Sequence, residues 1–199
     1  VERPQVVAAQ ELAPDAAEAL AAELPHGRLD PGIDFHGTGI ALRYPAAVDR
    51  FPLEHRDGMR AVLGTDEWPG LGSPIEILTV HLHNPIDRPL RRAAEIRRRQ
   101  VEQLLRHLSS SSHEGPRLIA GDLNASPTWR AYRRLAAVLG DATLMTGGAQ
   151  RTWSPRWWLP RLLRIDHVLV AGVVPVRAVT RRIRRTDHSA VIVDLDLEV

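Results

Sequence analysis

The sequence predicts an α/β layered fold, and three observations carry that reading. Short apolar runs suited to strands alternate with stretches of helical periodicity, no internal repeat is present, and proline and glycine fall between these runs. A length of 199 residues suits one domain, so residues 1–199 are read as a single unit. With 44% hydrophobic and 25% charged residues the chain can build a core and does not resemble a disordered one.

In order, residues 6–9 read as a strand, and 15–24 as an alanine-rich helix that opens at Pro14 or Asp15 and stops before Pro25. Residues 39–44 and 75–82 read as further strands. Over 88–108 the apolar positions Leu90, Ala94, Val101, Leu104, Leu105 and Leu108 recur at three- and four-residue spacing, which makes one apolar helix face with arginines around the rest. That is the pattern of an outer-layer helix with a solvated basic side, since Glu95 and Glu102 interrupt the arginines. Serines 109–112 read as a flexible connection, 117–120 as a buried strand, 128–139 as a helix, and 165–170 and 189–197 as closing strands.

The net charge is +2, and all 26 basic residues are arginine. So small a net charge does not by itself predict nucleic-acid binding, although the guanidinium fork suits phosphate. The absence of cysteine excludes disulfides, thiolate metal sites and a cysteine nucleophile, so any metal must be held by oxygen or imidazole. No run approaches the roughly 18 apolar residues of a membrane helix, and no leader pattern opens the chain. No integral membrane segment is expected in this chain; compartment is left open and a monomer is expected.

Chemistry-bearing residues gather at strand ends. Gln10 and Glu11 follow the first strand, His81 ends the run from Ile75, Asp122 and Asn124 follow Leu118-Ile119-Ala120, and Asp187-His188 precede the last strand. In layered α/β folds such ends meet at the rim of a sheet. Carboxylates without thiols suit a hard ion such as Mg²⁺, and the chemistry they imply is attack at phosphorus.

Five ordered segments resemble the endonuclease/exonuclease/phosphatase superfamily, which includes pancreatic-type deoxyribonucleases, AP endonucleases, sphingomyelinases and inositol polyphosphate 5-phosphatases. They are residues 6–11 (VVAAQE), 79–82 (TVHL), 121–127 (GDLNASP), 164–168 (RIDHV) and 186–191 (TDHSAV). The resemblance implies a four-layered α/β sandwich, with two mostly antiparallel sheets face to face and helices outside. It also implies a Mg²⁺-dependent hydrolase, with Mn²⁺ as substitute, that cleaves a phosphodiester or phosphomonoester by in-line attack of water. The substrate would be a nucleic acid, a phosphorylated lipid or a small molecule.

Carried over by position, Glu11 is similar to the principal metal ligand of the family and Asp187 to a second carboxylate at or near the ion. Asp122 and Asn124 look like the pair that orients water and phosphate. His188 would sit against the phosphate, oriented by Asp166, and His81 would donate to a phosphate oxygen from the other side. Blander readings stand beside these: Asp122 and Asn124 also suit a turn, His83 shares a strand face with His81, and Asp166 could instead hold Arg164. His167 reads as packing. Around Arg156 and Arg161, Trp153 reads as structural, while Trp157 and Trp158 suit base stacking, a lipid surface or a cover for the core.

One departure from the family pattern concerns the N-terminus. The strand that normally precedes the Gln-Glu run, and carries an asparagine, has no counterpart upstream of Val6. The expectation is an N-terminally truncated domain with a sheet short of one member. The alternative function is a non-catalytic binding or scaffold domain that has lost metal affinity with that strand.

Overall fold

The computed structural model describes residues 3–148, 150–184 and 186–197. Strands β1 (Val6–Gln10), β2 (His26–Asp30) and β3 (Thr38–Leu42) form an antiparallel sheet in the order β1-β3-β2. Helix α1 (Pro14–Glu23) connects β1 to β2. A six-stranded sheet combines β4 (Ala47–Phe51), β5 (Gly58–Leu63), β6 (Ile75–His81), β7 (Arg117–Asp122), β8 (Gly140–Asp141) and β9 (Asp166–Ala171). Its order is β4-β5-β6-β7-β9-β8, and only β6 and β7 run parallel. A parallel pair needs a crossover, and α2 (Leu90–Ser110) supplies it. Two short helices, α3 (Arg130–Ala136) and α4 (Ala142–Met145), flank β8, and β10 (Val174–Arg182) pairs with β11 (Ser189–Asp196) in a closing hairpin.

This is the expected sandwich of sheets with helices outside. One apolar cluster lies between the sheet layers, where Ile40 and Leu42 of β3 meet Met59, Ala61, Ile77, Leu118 and Val170 of the large sheet. A second lies under the helices, where Leu78, Val80, Ile119 and Leu169 meet Val101, Leu104, Tyr132 and Leu135. Strand β6 is buried along its whole length because both faces are used: Ile77 points to one cluster, Leu78 and Val80 to the other. The layer opposite the large sheet comes in two pieces, and among the described residues β1 and β11 each have a strand partner on one side only. Val6 of β1 and Val193 and Leu195 of β11 nonetheless pack on the same inter-sheet cluster.

Differences from the sequence reading have local causes. The buried face of α2 is Ala93, Ile96, Arg97, Gln100, Val101 and Leu104, so Val101 and Leu104 hold while Leu90, 57% exposed, and Ala94 lie outside it. Apolar spacing misplaced the first half of that face because Arg97 and Gln100 occupy its middle. Both are used as clamps. Arg97 donates to the carbonyls of His83 (2.5 Å) and Leu123 (3.4 Å), and Gln100 accepts from the His83 amide and donates to the Glu54 carbonyl, each at 2.9 Å. Strands β2, β4, β5 and β10 escaped notice because they lack a clean apolar run; β4 buries only Phe51, and β10 carries Pro175 beside a bulge.

Beneath the rim, Asp141 caps α4 through the amides of Thr143 (3.0 Å) and Leu144 (3.2 Å) and accepts from Tyr132 (2.7 Å) and Arg164 (2.6 Å). Burial alone would raise its pKa, but hydrogen bonds from His167, Tyr132 and Arg164 outweigh that and hold it well below the usual carboxylate range. Because the folded-state value is depressed, the contribution to stability is full above the unfolded value near pH ~4 and fades as pH falls through the folded one. Asp141→Asn leaves Arg164 buried beside a neutral group, and we expect a loss of about 3–5 kcal/mol in urea unfolding at pH 7. The difference from the unsubstituted protein should narrow below about pH 4.

Candidate active site

Backbone register assembles the site. In the parallel pair His81 lies opposite Asp122, and in the next antiparallel pair Asp122 lies opposite Asp166, so three strand ends hold the three side by side. The close approach in this row requires glycine at position 121: its φ is +147°, and a Cβ there would lie 2.0 Å from the Val80 carbonyl oxygen. Strand β1 is pinned above β6 by a hydrogen bond from Gln10 Nε2 to Thr79 Oγ1 at 2.6 Å, which brings Glu11 to the rim. There Glu11 adopts φ +51° and Asn124 φ +45°, conformations uncommon outside glycine, asparagine and aspartate. From the far side, His188 arrives through backbone pairing with Trp153, while the Ser189 amide bonds to the Thr152 carbonyl at 2.7 Å.

The histidines are set in opposite states. His188 Nδ1 bonds both Asp166 oxygens, at 2.9 and 3.0 Å. Burial pulls its pKa down, yet the hydrogen bond and charge of Asp166, with Asp122 and Asp187 behind it, raise it to about 9. It is therefore an imidazolium at neutral pH. His81, buried and close to Arg56 and His188, is lowered to about 3 and is neutral. Arg56 Nη1 lies 2.5 Å from His81 Nδ1, and a guanidinium can only donate, so Nδ1 accepts and Nε2 carries the proton. That Nε2 faces Asp122 at 3.5 Å and Glu11 at 3.9 Å.

The carboxylates crowd one another. Burial raises Asp122 above the ordinary range and Asp166 adds to it, against His188 and a hydrogen bond from the Asn124 amide (2.6 Å). Burial likewise raises Glu11, with Asp187 and Asp166 adding and His188 and Arg56 opposing. Asp187 accepts from Trp153 Nε1 at 3.0 Å. Asn124 donates from Nδ2 to the Leu82 carbonyl at 2.9 Å, which leaves its second amide N–H and its oxygen uncommitted by that bond.

His81, Asp122, Asp166 and His188 come together, with Glu11 3.9 Å from His81 and Asp187 turned to Trp153, and the sequence alternatives are separated. His83 turns to Asp87 (3.5 Å) and stacks edge-on with His55, whereas His81 faces the carboxylates. Arg164 bonds Asp141, leaving Asp166 to His188. His167 is packing, 1% exposed and bonded to the Ala125 carbonyl at 2.9 Å. The Asp122–Asn124 backbone contact is a turn as well as a site feature. Among the described residues, one set of three could hold a metal by proximity, Asp122, Asp166 and His188, with ligand atoms within 4.8 Å; Glu11 and Asp187 are not in it. Sequence reading missed Arg56. Its loop position after His55 gave no periodicity or motif, yet its Nε is buried without a partner among the described residues, next to the row of site side chains.

A family model described as the Endonuclease/Exonuclease/phosphatase family matches residues 1–188. The fold is similar to that of a functionally unknown conserved protein from Enterococcus faecalis, with TM-score 0.76 and 16% identity over 96% of this chain and 85% of that one. It is also similar to humanized D. rerio TDP2, with TM-score 0.71 and 18% identity over 97% and 86%. A mannosyl-6-phosphatase from Bacteroides thetaiotaomicron gives TM-score 0.64 and 16% identity over 96% and 85%. No curated protein matches the chain.

The histidine states are open to direct measurement in the metal-free protein. Long-range imidazole ¹H–¹⁵N spectra should show His188 protonated up to about pH 9 and His81 neutral with the proton on Nε2. Asp166→Asn should bring the His188 titration down by a unit or more, roughly the scale of losing one charged hydrogen-bond partner.

Proposed function

The chain belongs to the endonuclease/exonuclease/phosphatase family, whose members are phosphoesterases, and on that premise we propose that it is a divalent-metal-dependent hydrolase of a phosphodiester or phosphomonoester. The observation that supports this most is the strand-end row of His81, Asp122 and Asp166, with His188 and Glu11 closing around it.

The donor set fits a hard cation: oxygen and imidazole only, with carboxylates that burial and mutual repulsion push toward protonation, a strain that positive charge relieves. Glu11 and Asp187 would hold it. The compact set containing His188 suits that role less well, because His188 Nδ1 is already engaged by both Asp166 oxygens. Bound Mg²⁺, or Mn²⁺ in its place, supplies Lewis acidity and lowers the pKa of water.

The chain's own groups divide the remaining work. Asp122, raised into a range where it exchanges protons readily, accepts the proton of the attacking water. The His188 imidazolium and the His81 Nε2–H donate to phosphoryl oxygens from two sides and stabilise charge that builds there. Asn124 presents its second amide N–H to the phosphate. Arg56 fixes the tautomer of His81 through Nη1 and adds positive charge beside the row.

Hydrolysis of a generic aryl phosphodiester, a phosphomonoester, DNA and a phosphoinositide with Mg²⁺ or Mn²⁺ tests this. Turnover of at least one is expected, and chelation should abolish it. Asp122→Asn and His188→Ala should each lower kcat by roughly 10²–10⁴ at unchanged fold. Arg56→Lys should lower kcat by about tenfold or more, since an ammonium keeps charge but not the fork. No turnover on any of the four substrates with either metal overturns the proposal. Calorimetric titration with Mn²⁺ checks the ligand assignment, for Glu11→Gln should lose the binding heat.

A further inference from the structure

Beside the site, two linked loops present large apolar side chains that neither core cluster uses. Trp157 is 54% exposed, Trp158 55%, Leu162 47% and Ile183 53%. The loop is firmly held. Arg161 donates to the carbonyls of Thr186 (3.0 Å) and His188 (2.6 Å), and Arg182 donates to those of Trp157 (2.8 Å) and Leu159 (3.1 Å). Residues 153–163 are therefore tied to the turn between β10 and β11, whose end carries Asp187 and His188. The exposure of the indoles is thus a property of a fixed surface.

Charge gives this surface a sign. Segments 151–165 and 174–186 hold no aspartate or glutamate, and although Arg164 is buried against Asp141 and Arg177 pairs with Asp194, Arg156, Arg182 and Arg184 are exposed on them. Arg161 and Arg182 lie close enough to repel, and burial followed by that repulsion lowers the pKa of Arg161. Arg156 sits 5.3 Å over the Trp158 ring. Exposed indoles with aliphatic neighbours, rimmed by guanidinium groups, match the layered chemistry of an anionic bilayer: acyl chains below, indole-compatible interface, phosphates above.

Single-stranded nucleic acid fits less well. The two indoles meet edge to face at 5.6 Å and 87°, and Arg156 lies over Trp158, so the pair does not form a parallel slot that would sandwich a base. Leu162 and Ile183 extend the patch with side chains that provide no stacking face for a base.

We propose that the 153–163 loop and the β10–β11 turn form a docking surface for anionic phospholipid membranes, which places the candidate site at the bilayer's phosphate layer. Co-sedimentation with phosphatidylcholine vesicles, with and without phosphatidylserine, tests it without reference to activity. Binding should require phosphatidylserine and weaken as salt rises. Trp157→Ala/Trp158→Ala should weaken binding by about tenfold or more. Arg156→Glu/Arg184→Glu should weaken it by roughly fivefold for each charge removed. Circular dichroism and hydrolysis of a soluble diester should be unchanged in the tryptophan variant, which keeps this result separate from that of the catalytic proposal. Vesicle binding that is absent in the unsubstituted protein, or undiminished in the tryptophan variant, overturns the proposal. So does tryptophan-dependent retention of a single-stranded oligonucleotide in place of vesicles.

Discussion

Everything at the rim depends on backbone hydrogen bonding across three neighbouring strands. The parallel β6–β7 pair and the antiparallel β7–β9 pair fix His81, Asp122 and Asp166 in one row, and a slip of one residue in either pair would turn a member of that row to the opposite face. The register is in turn fixed by burial on both sides: Leu78, Val80, Ile119 and Leu169 must face the helices while Ile77, Leu118 and Val170 face the other layer. Hydrophobic patterning therefore sets the geometry of this row, through the two-residue period of a strand.

Around that row the chain spends polar side chains on holding loops rather than on the surface. Arg97 and Gln100, carried on the buried face of α2, secure the carbonyl and amide groups of His83, Leu123 and Glu54, the loops on either side of His81 and Asp122. Asp141 performs the equivalent task below, joining α3, α4 and the approach to β9 through Tyr132, Thr143 and Arg164. Such networks are costly when half satisfied and stiffening when complete. They give the site a rigid base on which a few groups can be held in unfavourable company.

That unfavourable company sets this cluster apart from the rest of the surface. Glu11 and Asp122 are raised by burial and by one another's neighbours, while His188 is held cationic by Asp166 and His81 is kept neutral beside Arg56. Groups of the same chemical type are driven apart in protonation state by their surroundings, the usual physical basis of acid–base division of labour. A surplus of carboxylate in a confined space is also the kind of donor set that could take a divalent cation.

The sequence by itself determined the alternation of strands and helices, the strand ends at which Glu11, His81, Asp122 and Asp187 fall, and the motifs that tie them to a family. These are local properties, readable because periodicity and strand-end position need only neighbours along the chain. It did not disclose β2, β4 or β10, which bury one residue or none each, nor β5, whose pattern is interrupted by Gly58 and Arg60, nor the polar half of the α2 face, all of which lack a local signature. Arg56 was invisible for the same reason: nothing near position 56 distinguishes it from the other arginines. Only the tertiary structure decided that His81 rather than His83 faces the carboxylates, that Asp166 serves His188 while Arg164 serves Asp141, and that Trp157 and Trp158 stay outside the core. Each of those choices depends on which distant side chain occupies the adjoining space, and no local pattern encodes that.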